Sequence, residues 1–133
     1  MYKAIFLVFA GLSFLAGCSN TLEATEVGQH KGKTYVVKIS TYSRNALIND
    51  TDILLNGKLA LRITPKTVII NKDPACSKVS DNETIITCIY NSTFEGNPLT
   101  VRKVIKSSLL TYSENYEIFM SGELLEVVNI LNK

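Results

Sequence analysis

The chain has 133 residues, with 14 Lys and Arg against 12 Asp and Glu, and 46% of it is hydrophobic. That length accommodates one ordinary domain, and a net charge of +2 without a run of one sign excludes a chain built around an electrostatic grip on nucleic acid. The apolar content, with only 3 Pro and 7 Gly, excludes collagen-like and wholly disordered classes.

The first element is apolar. Met1-Tyr2-Lys3 gives a short positive start, and residues 4–16 carry no charge. A membrane-spanning helix needs about 20 apolar residues, so this run has the length of a signal-peptide core instead. It closes on Leu15-Ala16-Gly17-Cys18. Small residues at Ala16 and Gly17 suit a peptidase site, and the Cys18 thiol suits a thioether to diacylglycerol. This stretch resembles the lipobox of bacterial lipoproteins, and the resemblance covers residues 1–18 only. It implies a signal peptide over 1–17, cleavage before Cys18, lipid on the Cys18 sulfur and acylation of the new amino terminus, so that several acyl chains anchor the protein in a membrane. The implied address is the bacterial cell envelope. With Ser19, not Asp, after the cysteine, the periplasmic face of the outer membrane is favoured over the inner membrane. The alternative is an ordinary secretory signal with an incidental cysteine.

Residues 19–33 read SNTLEATEVGQHKGK, polar and without a sustained period of 2 or 3.6. They predict a flexible tether over 18–33, with a reach of roughly 20 Å for a coil of that length, and a single β-rich domain over 34–133. The only histidine, His30, falls in this tether as a solvated polar residue. With no Cys, Asp or Glu at ligand spacing it predicts no metal site.

From Thr34 the signals are strands. Tyr35, Val37 and Ile39 alternate with Val36, Lys38 and Ser40, the period of a half-buried strand. Asn56-Gly57 between two apolar arms predicts a type I′ hairpin in which Leu54 faces Leu59 and Ile53 faces Ala60. A further short strand is predicted over 67–71. Cys76 and Cys88 lie symmetrically about Asn82, so a hairpin turning there sets them opposite each other, within disulfide range. Export supplies an oxidising compartment and lipid takes Cys18, which leaves Cys76 and Cys88 as a disulfide pair. The eleven residues between them do not make a Cys-x-x-Cys redox motif.

Residues 84–91 are apolar on both faces and predict a central strand. A turn at Glu95-Gly96-Asn97-Pro98 and strands over 99–106 and 116–120 follow, with Arg102, Lys103 and Lys106 as a basic cluster. In 123–131, Leu124, Val127, Val128 and Leu131 fit a helical stripe, while the β-branched content and the Ser121-Gly122 turn favour a last strand, the reading adopted. Seven or eight short strands predict an all-β fold, a small antiparallel β-sandwich of immunoglobulin-like size. The alternative is an α+β domain with a C-terminal helix on a sheet.

The chemistry expected of an enzyme is sparse. The folded part has no histidine for a nucleophile-base pair and no Gly-rich phosphate loop or Gly-x-Ser-x-Gly. Asp50 with Asp52, and Glu114 with Glu117, are carboxylates close in sequence, in polar, turn-like surroundings where solvation is the default. No catalytic residue and no cofactor is predicted. Two binding roles are consistent with this: an adaptor docking on a periplasmic or outer-membrane protein of an envelope, secretion or pilus complex, or an envelope inhibitor or immunity protein. The second would block a toxin, lysozyme-like enzyme or phage receptor through a loop at 42–52 or 91–98.

Overall fold

A computed structural model describes residues 21–43, 48–65, 73–80 and 84–132. Cys18 and the lipobox-like stretch lie outside the described residues, as does the apolar run at 67–71. The first sheet is a meander of β1 (Leu22–His30), β2 (Lys33–Ser43), β3 (Asn49–Leu55) and β4 (Lys58–Ile63). The second is a meander of β5 (Cys76–Ser80), β6 (Thr84–Phe94), β7 (Asn97–Ser107), β8 (Tyr112–Met120) and β9 (Glu123–Asn132). Every pairing is antiparallel. The protein is thus an all-β, antiparallel sandwich, with nine strands among the described residues where seven or eight were expected.

Alternation decides which face is inside. Tyr35, Val37 and Ile39 of β2 and Ile53 and Leu55 of β3 turn inward against Leu99 and Val101 of β7 and Tyr116, Ile118 and Met120 of β8, all of them buried. Tyr35 meets Phe94 edge to face, with ring centroids 6.5 Å apart.

Four two-residue turns join hairpin arms at one end: Lys31-Gly32, Asn56-Gly57, Glu95-Gly96 and Ser121-Gly122, each with positive φ at both positions. That is the type I′ geometry, whose twist matches the strands it connects. At Asn56-Gly57 the asparagine adds a local reason: its side-chain Oδ1 accepts from the Val36 backbone N–H at 2.8 Å and its own N–H donates to the Val36 carbonyl at 3.0 Å. The turn therefore extends the β2–β3 ladder. The turn expected over 95–98 is tighter than its four residues, because Asn97 and Pro98 already pair with Phe94 and Thr93.

Three expectations are corrected. The tether does not extend to 33: residues 22–30 are β1, paired along its whole length with β2. Its alternation is hard to read in sequence because Glu23, Thr25 and Gln29 on the outer face leave Ala24, Gly28 and His30 to form the inner one. His30 is accordingly buried, with Nδ1 3.3 Å from Glu123. In the Asn-Gly hairpin Leu54 does face Leu59, but a bulge sets Ile53 opposite Leu61, not Ala60. The C-terminal segment is strand β9, so the helical alternative falls. A bulge at Ile118/Phe119 leaves Leu125 as the extra residue, which puts Leu125 and Val128, three apart, both inside. Of the apparent helical stripe, Leu124 and Val127 are thus exposed, and the inner face is set by the bulge.

The same bulge recurs in both hairpins, and so does much else. Ile53/Leu54 and Ile118/Phe119 are separated by 65 residues (118 − 53), and Lys31-Gly32 and Glu95-Gly96 by 64 (95 − 31). With these offsets β1–β4 map onto β6–β9, and the buried Val37, Ile53, Leu55, Ala60 and Ile63 map onto the buried Val101, Ile118, Met120, Leu125 and Val128. The protein is an internal repeat of a four-stranded meander, with β5 added to one copy. The copies meet through matching contacts at their edges. Gly28 of β1 lies against the Leu125 carbonyl of β9, and its counterpart Ser92 of β6 donates through Oγ to the Ala60 carbonyl of β4 at 3.1 Å.

A Cβ at Gly28 would overlap that Leu125 carbonyl oxygen. Gly28→Ala is therefore expected to cost about 1–3 kcal/mol, the usual range for overpacking. Urea unfolding checks this, and an unchanged midpoint would show that β1 and β9 do not approach so closely.

Candidate functional site

The sandwich has two unlike poles. At one, the four tight turns are tied together by polar contacts: Lys33 and Lys58 form ion pairs with Glu95, at 3.0 and 3.7 Å, and His30 Nδ1 meets the Glu123 carboxylate. The Lys33 hydrogen bond holds the Glu95 carboxyl below the usual range and, reciprocally, raises Lys33. Both residues are solvated enough that this pairing adds little stability. The opposite pole carries the start of β1 at Leu22, the end of β4, the start of β6 at Thr84 and the β7–β8 turn.

Between the sheets, toward this second pole, lies a polar network. Thr41 and Thr51 share a hydrogen bond at 3.0 Å, and Thr51 and Tyr116 share one at 3.4 Å. Tyr116 Oη donates to Glu114 at 2.7 Å, Tyr112 Oη donates to the same carboxylate at 3.3 Å, and Lys103 Nζ lies 3.0 Å from it. Lys103 also sits 5.7 Å from the Tyr116 ring centroid. Lys103 and Glu114 have only 15% and 13% of their side chains exposed. Partly buried opposite charges persist because each compensates the other's desolvation. Burial drives the Tyr116 hydroxyl well above its ordinary pKa, and the Glu114 charge adds to it. The same causes push Tyr112 up to about 12, and burial does so for Tyr90. The network joins the sheets, since Thr41 and Thr51 belong to the first and the others to the second.

Cys76 and Cys88 form a disulfide and are directly paired in the β5–β6 ladder, Cα atoms 3.9 Å apart, as the hairpin arithmetic predicts. The bridge packs with Ile86, Ile105, Tyr90 and Tyr112 in a second, smaller core. It staples β5, the one described strand without a counterpart in the repeat, to the rest.

At the β7–β8 turn the Ser108 N–H donates to the Thr111 carbonyl at 2.8 Å, and the two hydroxyls share a hydrogen bond at 2.7 Å. The residues between them, Leu109 and Leu110, are fully exposed at 102% and 93%. A shallow open depression beside them is lined by Thr84, Ser107 and Ser108.

Alternation separates residues that sequence proximity suggested might act together. Glu114 faces inward, whereas Glu117 faces outward and is gripped by Arg102 at 2.8 Å. Lys103 likewise parts from Arg102 and Lys106, so the basic cluster is not one patch. Asp52 is held bidentately by Arg62 at 2.7 and 3.0 Å, which raises the guanidinium pKa further, while Asp50 is buried. Residues 91–98, a candidate blocking loop, are the β6–β7 hairpin instead. Of the other, 42–52, positions 44–47 lie outside the described residues. Among the described residues no group of three metal-ligating side chains occurs. No known protein family, characterised protein or solved structure matches the chain. Sequence reasoning missed Leu109-Leu110, although an apolar pair after Ser107-Ser108, between two strands, was a readable signal.

Two outcomes follow from this geometry. The stability contributed by the buried, protonated tyrosines is complete below the unfolded pKa of about 10 and is lost as pH rises toward the folded values. Tyrosinate absorbance should therefore show at least Tyr90, Tyr112 and Tyr116 lagging until the fold opens; if all tyrosines titrate near 10 in the folded protein, their burial is wrong. Replacing Cys76 and Cys88 by Ala is expected to lower stability by about 3 kcal/mol for a loop of this size, read from thermal or urea unfolding of oxidised protein and the double variant.

Proposed function

We propose that this is a lipid-anchored binding lipoprotein of the bacterial envelope, an adaptor held by Cys18 at the periplasmic face of the outer membrane and docking on a protein partner there. The lipobox-like Leu15-Ala16-Gly17-Cys18 supports the anchor. Binding, in preference to catalysis, is supported by the polar clusters described above, whose side chains are engaged with one another.

The observation that carries the docking role is an apolar belt across the outer face of the first sheet. Val27 and Val36 lie opposite each other on β1 and β2, 57% and 43% exposed, and Leu54 and Leu59 lie opposite each other on β3 and β4, Leu59 at 50%. Lys38 sits opposite half-buried Leu54, so the two apolar pairs meet only diagonally across β2 and β3. Outer faces of antiparallel sheets are ordinarily polar, and two such pairs spread over four strands support an interaction surface. The internal repeat supplies a control. Where the first copy has Val27 and Val36, the second has Asn91 and Thr100, and Thr100 Oγ1 donates to Asn91 at 2.9 Å. The Val27–Val36 pair is thus peculiar to one copy, whereas Leu54 and Leu59 have apolar counterparts in Phe119 and Leu124, so Val27 and Val36 are the part of the belt that the repeat does not account for. It lies toward the pole of tight turns, about 17 Å along β1 from Leu22 at the usual strand rise.

A photo-crosslinking side chain at Val27 or Val36 in the exported full chain should capture a discrete envelope protein, whereas the same probe at Asn91 or Thr100 should not. Equal capture at all four positions, or none at Val27 and Val36, would refute the docking face.

A further inference from the structure

We infer that the Leu109-Leu110 turn is a second membrane contact, dipping into the bilayer surface beside the lipid anchor; this rests on the reading that Cys18 is lipidated. Three observations converge on it. The first is the turn itself, which presents two adjacent leucines wholly to solvent on a base closed by hydrogen bonds between Ser108 and Thr111. The Ser108 and Thr111 amides and hydroxyls that flank the leucines are paired with each other, so the base of the turn brings few unpaired donors toward an apolar medium. The tip enters at the level of the headgroups, where its own peptide groups stay hydrated.

The second is position. β1 runs from Leu22 toward the tight-turn pole, where His30 meets Glu123 at the start of β9. β8 starts at Tyr112 and runs to Met120, whose turn leads into Glu123, so the β7–β8 turn and Leu22 share the opposite pole. The third is the length of chain that remains. With the strand beginning at Leu22, only three residues, Ser19, Asn20 and Thr21, lie between it and Cys18, and the four Cα steps span at most about 14 Å even when fully extended. A tether ending at residue 33 would have left the domain free to stand off the membrane. The shorter one holds this pole against the lipid, and the exposed leucines with it. Lys106, exposed just before the turn, adds a cation at the level of the headgroups. The apolar belt at Val27 and Val36, toward the other pole, is then directed into the periplasm.

The chain has no Trp, so Leu109→Trp introduces a single fluorescent reporter at a position where nothing is packed. The full chain, exported and extracted with its native amino terminus, is reconstituted into phosphatidylethanolamine and phosphatidylglycerol vesicles with or without brominated acyl chains. Leu59→Trp, at the other pole, is the control. On reconstitution the Leu109→Trp emission should shift to shorter wavelength and be quenched by the bromines, while Leu59→Trp does neither. An unshifted, unquenched Leu109→Trp signal, or equal quenching of both variants, overturns the proposal. The mass of the N-terminal peptide separates the two levels of failure. A lipidated Cys18 with an unquenched reporter refutes the membrane-contacting turn alone, and an unmodified Cys18 refutes the anchor and the turn together.

Discussion

The fold depends on how closely β1 can approach β9. Both are edge strands, one of each sheet, and unpaired edges invite association with other chains. Here the two edges cover each other, and the contact is possible because Gly28 has no side chain to hold the Leu125 backbone away. On the other flank the equivalent place is taken by Ser92, which adds a hydrogen bond to the Ala60 carbonyl in place of the bare approach. These two seams fix the distance between sheets that the inner side chains then fill.

Within that frame the two copies of the meander have diverged in instructive ways. Their bulges, tight turns and most buried positions correspond, because these set the backbone path and the core volume. Their differences concentrate where chemistry or contact is at stake. Lys103 occupies the inward position that Ile39 holds in the first copy, and with Glu114 and the tyrosines it makes one end of the interior polar. Buried polar groups that are fully paired restrict the ways two sheets can slide past each other. On the outside, Val27 and Val36 stand where the second copy has the hydrogen-bonded Asn91 and Thr100, which makes that place on the first sheet apolar. Strand β5, stapled through Cys76–Cys88, covers the edge of β6 only over 85–88, leaving the upper part of β6 to meet β4. The disulfide is thus part of how the second sheet accommodates its extra strand.

Much of this was legible before any tertiary structure. The alternation in β2, the Asn-Gly turn, the apolar run of β6 and the symmetric cysteines about Asn82 each encode their geometry within a few residues. β1 was not legible because a strand at an edge, with Glu, Thr and Gln outward and Ala, Gly and His inward, has almost no hydrophobic contrast. His30 reads as a solvated residue only while β1 is taken for a tether; once paired, its parity sends it inside. The repeat was also hidden, since the copies keep residue class more than identity: Asp52-Ile53-Leu54-Leu55-Asn56-Gly57 against Glu117-Ile118-Phe119-Met120-Ser121-Gly122.

The sequence by itself determined the class of fold, three of the four tight turns, the cysteine pairing and a lipobox-like beginning, because each is a local pattern of period, turn chemistry or spacing. Tertiary structure alone decided that residues 22–30 belong to the first sheet, which carboxylates and cations meet, and that Leu109-Leu110 shares a pole with Leu22. The reason is that these depend on the register of strands and on which edges touch. A single bulge, as at Ile53/Leu54, shifts a residue's partner and its face without leaving a mark in the local composition.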